Sequence, residues 1–250
     1  MTDHTAKINI RPIVDQKLST DLKSQFHILQ HKIYSFEQGE EFPTAIYCEI
    51  LNSQVQSAVN EHPIFAQVIS KDLLCWSLLT TIFEKVHNEL VHPTIKHLIE
   101  TNPIALLWRW DRYEASTPIK CIASTPMHCT IMPWIAENFP WILNHPKCSC
   151  MPPHCELVSQ CTHGSCYADV IRQFFEHHPQ GLGQQNKLMH DGLPLDLILS
   201  CWEHCDANLF KWMTEKYPAA VLKKDRNGTT PLHVACLKLG SDSDPDVALP

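Results

Sequence analysis

Residues 95–103 read Ile-Lys-His-Leu-Ile-Glu-Thr-Asn-Pro, and the same frame returns at 132–140 (Met-Pro-Trp-Ile-Ala-Glu-Asn-Phe-Pro), 171–179 (Ile-Arg-Gln-Phe-Phe-Glu-His-His-Pro) and 210–218 (Phe-Lys-Trp-Met-Thr-Glu-Lys-Tyr-Pro). Pro103, Pro140, Pro179 and Pro218 recur at almost even intervals, and one more interval back from Pro103 lies Pro63. Eight before each proline are Val55, Ile95, Met132, Ile171 and Phe210; five before, Ala58, Leu98, Ile135, Phe174 and Met213. Four before stand Val59, Ile99, Ala136, Phe175 and Thr214, the one polar member. Offsets of three and four put these side chains on one stripe of a helix. The proline ends that helix, because it lacks an N–H and disfavours helical geometry in the residue before it. Three residues later Ala66, Leu106, Leu143, Leu182 or Val221 keeps one apolar contact for the outgoing chain.

A second series interleaves with the first: Pro43, Pro118, Pro153, Pro194 and Pro231, with Ser77 in the equivalent place of one copy. Thr117-Pro118 and Thr230-Pro231 have the chemistry of a helix start, a hydroxyl cap followed by a residue whose missing donor costs nothing. Ile46/Tyr47, Cys121/Ile122, Leu197/Ile198 and Val234/Ala235 then form a short apolar stripe, which Thr80/Thr81 and Glu156/Leu157 continue less well. Each copy reads as short helix, turn, longer helix, proline stop and a loop of about a dozen residues. One such pair cannot bury its stripe alone and must stack on copies of itself. The expected fold is all-α, an α-solenoid of helix-turn-helix repeats over 43–250 with the last repeat incomplete. Residues 1–42 form an N-terminal segment in which Leu22, Phe26, Leu29, Ile33 and Phe36 mark a helix capping the array. The last repeat has its first helix but no second, since only Val247-Ala-Leu-Pro250 follows the turn at Ser241-Asp-Ser-Asp-Pro-Asp246, which suggests a truncated or incomplete gene product.

The best-formed copy runs Asp225-Arg-Asn-Gly-Thr-Thr-Pro-Leu-His-Val-Ala-Cys236. It resembles the ankyrin repeat, whose signature is an Asp/Gly loop leading into Thr-Pro-Leu-His-x-Ala. The resemblance spans roughly residues 43–250. It implies a hydrogen bond between Thr230 and His233 across the first turn begun by Pro231, and a tight-turn glycine at Gly228 and again at Gly192. The copies here are longer than the family's usual one, as the interval from Pro179 to Pro218 shows, which implies longer outer loops. They also end in Glu-x-x-Pro instead of the family's common Leu-x-x-Gly-Ala. The family mostly binds proteins through loop tips and the exposed sides of first helices. Carried onto this chain, that surface comprises Trp108, Arg109, Trp110 and Arg112, then Lys187 and Asp191, then Lys224, Arg226 and Asn227; Trp and Arg are also common interface anchors.

The 250 residues carry 44% hydrophobic and 19% charged side chains, enough for a core and too apolar for wholesale disorder. A net charge of -7 offers no electrostatic footprint for nucleic acid or an anionic membrane. No apolar run approaches the roughly 20 residues of a spanning helix. The first ten residues lack an apolar stretch, so no secretory signal is expected and the 12 cysteines are read as thiols or metal ligands in the cytoplasm or nucleus.

Those cysteines raise a second reading. Cys148 to Cys166 is rich in Cys and His, the ligands zinc prefers, but a first helix of roughly 13 Å separates its two ends. Adjacent inter-helix turns give a better set, Cys161 and Cys166 with Cys201 and Cys205. Zinc there would make the chain a zinc-stabilised adaptor; otherwise no cofactor is expected. Cysteine catalysis needs a thiolate held by a facing His, and the neighbours His128-Cys129 and His154-Cys155 do not face each other on a helix. No phosphate loop, Gly-x-Ser-x-Gly or His-Glu-x-x-His occurs. The leading expectation is a monomeric, non-catalytic protein-interaction module or scaffold with an unknown protein partner. A regulatory repeat region of a larger enzyme is the remaining alternative.

Overall fold

Each of the five stop prolines sits where a helix has just ended, and each opens one further turn. In the computed structural model, which describes residues 13–14, 18–34, 44–70, 76–86, 88–107, 117–145, 152–159, 166–186, 191–200 and 206–241, the helices in chain order are α1 (Thr20–Tyr34), α2 (Thr44–Glu61), α3 (Leu78–Lys85), α4 (His92–Thr101), α5 (Pro118–Ser124) and α6 (Met132–Asn138). They continue as α7 (Pro140–Leu143), α8 (Pro153–Ser159), α9 (Cys166–His177), α10 (Pro194–Ser200), α11 (Ala207–Lys216) and α12 (Pro231–Ser241). The turns after the stop prolines are the 3-10 segments Pro63–Gln67, Pro103–Leu107, Pro179–Gly183 and Pro218–Leu222, and α7 itself. The described residues are predominantly helical, with one small ribbon among them.

The stop works the same way each time. The residue before the proline leaves helical geometry (φ -148, ψ 81 at Asn102; φ -131, ψ 58 at His178), yet its N–H still bonds back four residues. Those closing bonds run from His62, Asn102, Phe139, His178 and Tyr217 to Ala58, Leu98, Ile135, Phe174 and Met213, at 2.8–3.0 Å. The same residue's carbonyl then accepts the N–H two places beyond the proline, at 2.9–3.1 Å. Orphan groups at both ends of the break are thereby satisfied. The residue supplying that second N–H is buried in every copy: Phe65, Ala105, Ile142, Gly181 and Ala220. A Cβ on Gly181 would lie 2.6 Å from His178 Cδ2 and 3.0 Å from Phe175 Cε1. Gly181→Ala is therefore expected to cost about 1–3 kcal/mol by overpacking. Urea unfolding measures it; a cost below about 0.5 kcal/mol would mean that the ring simply moves aside.

The apolar columns face inward. Val55, Ile95, Met132 and Ile171, and likewise Leu98, Ile135 and Phe174, are fully buried, whereas Ala58 in the first copy and Phe210 and Thr214 in the last are half-exposed. The described residues divide into two compact parts, Met1–Ile122 and Ala123–Pro250. In the first part α1 packs on α2 and α3, α2 on α4, and α3 on α4. Phe26 of α1 meets Phe65, with ring centroids 5.7 Å apart. The Asn52 amide donates to Leu90 O at 2.6 Å, while its carbonyl accepts the Thr94 hydroxyl at 2.6 Å, tying α2 to the start of α4. In the second part α6 packs on α9, and the proline-opened helices α8, α10 and α12 pack one on the next.

Two expectations change. The stretch 43–63, read as a helix pair, is the single helix α2, because Thr44–Glu61 contains neither glycine nor proline to interrupt it. Beside it α1 lies in the same compact part as α2 to α4. Second, a ribbon interrupts the helices of the first part: β2 (Val68–Ser70) pairs in parallel with β1 (Ile13–Val14) and antiparallel with β3 (Trp76–Ser77). In the second proline series, Pro118, Pro153, Pro194 and Pro231 each begin a helix as expected. The N-terminal stripe is also helical, with Phe26, Leu29 and Ile33 buried and Ser19 Oγ accepting from Leu22 N–H at 3.4 Å.

Candidate partner-binding surface

Three of the outgoing loops fold back at a constant place, the seventh residue after the stop proline. Ser70 pairs with Trp76 after Pro63, Asn186 bridges to Gly192 after Pro179, and Asp225 N–H donates to Thr229 O at 2.8 Å after Pro218. In the last of these the Asp225 carboxylate gathers the N–H groups of Asn227 and Thr229, both at 2.8 Å, which fixes the turn. Gly228 closes it with φ 79, a conformation that costs glycine nothing. Thr230 N–H and Oγ1 lie 3.2 Å and 2.7 Å from His233 Nδ1, so the first turn of α12 carries the hydrogen bond that the resemblance implies. One copy earlier the same job falls to a carboxylate: Leu193 N–H donates to Asp196 Oδ2 at 2.7 Å. Burial pushes the Asp196 carboxyl up from the ordinary range, against the pull of that bond.

The tight-turn residue of that earlier loop differs from expectation. Asp191, with φ 62, occupies the left-handed position three before Pro194, where Gly228 stands before Pro231; Gly192 has no positive φ. Asp is among the few non-glycine residues that tolerate this geometry. Its carboxylate also accepts Arg226 Nε at 3.0 Å, joining consecutive loop tips. Two residues expected to meet a partner, Asp191 and Arg226, thus meet each other, although Arg226 remains largely exposed. Lys223 Nζ bonds to Gly183 O at 3.1 Å, and Gln184 repeats that step one copy earlier by reaching Asn144 Oδ1 at 3.2 Å.

Around these ties the surface is open. Lys224 and Asn227 are exposed, and so are two aliphatic side chains that sequence reasoning did not single out, Leu222 at the end of the stop turn (81% exposed) and Leu232 in the first turn of α12 (65% exposed). Their only sequence signal is an apolar residue at the end of the stop turn and another just inside the next helix. Trp108, Arg109, Trp110, Arg112 and Lys187 lie outside the described residues. So do Cys161, Cys201 and Cys205, while Cys166 begins α9. Among the described residues no group of three His, Cys, Asp or Glu side chains is placed to hold a metal ion. Of the neighbouring pairs weighed for catalysis, Cys155 is buried and its thiol pushed up to about 12, chiefly by burial with help from Glu156, so it is not a thiolate at neutral pH. No helix among the described residues is long and apolar enough to cross a membrane. No family model, no curated protein and no solved structure matches the chain.

Proposed function

We propose that the chain is a non-catalytic protein-interaction module, an α-solenoid of ankyrin-like repeats that engages a partner protein with its loop tips and the exposed sides of its first helices. The observation that carries this reading is the tie between successive tips. Loops closed at the same residue after Pro179 and Pro218, and joined by Asp191 and Arg226, present their ends side by side as one surface. Repetition of this kind supports an extended binding face whose tips vary without disturbing the helices beneath. The exposed Leu222 and Leu232, together with the exposed Lys224 and Asn227, supply the apolar and polar side chains that an interface combines.

The test compares the full chain with a Leu222→Asp/Leu232→Asp variant in affinity capture, alongside circular dichroism. Both side chains are exposed, so the helical spectrum is expected to persist. Proteins held by the wild type and lost by the variant are the expected result. Identical captured sets would reject this surface.

A further inference from the structure

His154, the second residue of α8, and His178, between α9 and Pro179, are both fully buried, with ring centroids 5.8 Å apart. His154 also meets Phe175 (5.9 Å) and Phe174 (6.5 Å), so one imidazole joins α8 to two rings of α9. The Gln180 amide donates to His178 Nδ1 at 2.9 Å, which places the proton of that ring on Nε2. His178 Nε2 and both ring nitrogens of His154 find no hydrogen-bond partner among the described residues. A buried polar group left unpaired costs free energy, and a charged one costs far more.

Among the described residues no nearby carboxylate offsets that cost. On α8, Glu156 is half-buried and acts on Cys155; on α9, Asp169 and Arg172 bond each other at 2.8 Å, and Glu176 and His177 are exposed. Arg172 also reaches Asp206 at 3.2 Å. The helix packed on α9 contributes only the exposed Glu137, and the one packed on α8 contributes Asp196, whose carboxylate is committed to Leu193 N–H. The turn Pro179–Gly183 has no charged residue. The charge that acts on His154 is that of the His178 ring.

We propose that His154 and His178 form an acid-sensitive latch: while both rings are neutral they hold α8 against the junction of α9 and Pro179, and protonation releases it. The sign follows from where the proton binds. Burial, reinforced by His178, holds His154 down at about 3, and burial holds His178 at about 4, whereas a freed ring titrates near the ordinary 6.5. The closed form is therefore fully favoured above the ordinary histidine range and loses ground as the pH falls from about 7 toward 4. Between pH 7 and pH 5 the opening equilibrium shifts about 20-fold for one freed ring and several hundred-fold for two.

Hydrogen exchange of the full chain at pH 7 and pH 5, normalised for intrinsic rate, reads this directly. Amides of α8 are expected to lose about 20-fold or more of their protection, relative to those of α2, which contains no histidine. In His154→Phe, which keeps a ring among Phe174 and Phe175, at least the share due to His154 should vanish. Equal losses in α8 and α2, or an unchanged loss in the variant, would overturn the latch. Imidazole nitrogen shifts of the wild type give a second readout that needs no variant. Both rings should stay neutral in the folded chain down to about pH 5, and a midpoint near 6.5 for either would overturn the proposal.

Discussion

Phe174→Ala is expected to lower the stability of the second part of the chain by about 3–5 kcal/mol. The ring is fully buried five residues before Pro179, with Phe175 at 5.3 Å and 78° and His178 at 5.5 Å and 61°. Truncation removes its transfer free energy, leaves a cavity between helices that cannot collapse freely, and forfeits edge-to-face contacts worth about 0.5–1.5 kcal/mol each. Urea unfolding followed by circular dichroism reads the change. The exposed neighbour Gln173 provides the comparison, since Gln173→Ala should stay within about 0.5 kcal/mol. A Phe174→Ala cost below about 1.5 kcal/mol would mean that the ring does not anchor α9.

The same alignment column yields a contrast between copies. Ile99 and Thr214 both stand four before a stop proline, but Ile99 is fully buried while Thr214 is half-exposed and spends its hydroxyl on Lys211 O at 2.7 Å within its own helix. Ile99→Ala should cost about 2–5 kcal/mol and Thr214→Ala less than about 0.5 kcal/mol. If the two costs came out alike, register position alone would not decide which side chains carry the fold. If Thr214→Ala proved the costlier, the last copy would bury a face that α11 leaves half-open.

How much of this was readable beforehand depends on the kind of signal. The stop prolines carried the most, because a missing N–H acts locally and acts alike in every copy; helix ends at Glu61, Thr101, Asn138, His177 and Lys216 follow from it. Helix starts at Pro118, Pro153, Pro194 and Pro231 were legible for the same reason. Pro43 misled, since a proline marks where a helix can begin and says nothing of where it must stop. Asp191 was hidden because both Asp and Gly stand in that loop, and only the backbone decides which takes the left-handed turn. The pair of imidazoles was hidden more deeply. His154 and His178 are well separated in the chain and sit on different elements, and nothing in either local pattern marks a histidine as buried. Of the surface residues expected to bind, Arg226 is exposed, yet its bond to Asp191 arises only from the stacking of two loops.

The residue ahead of each stop proline is His62, Asn102, Phe139, His178 or Tyr217, five settings with four different side chains. Its backbone alone makes the break, through one N–H and one carbonyl, so selection can vary the side chain there without redirecting the chain. Each copy thus owns a side-chain position at the same point of the break, half-exposed at His62, Asn102, Phe139 and Tyr217 and buried at His178, into which an amide, a phenol, an apolar ring or a titratable base can be fitted. A periodic scaffold built this way can acquire a chemically distinct reporter in one copy while the others keep their shape.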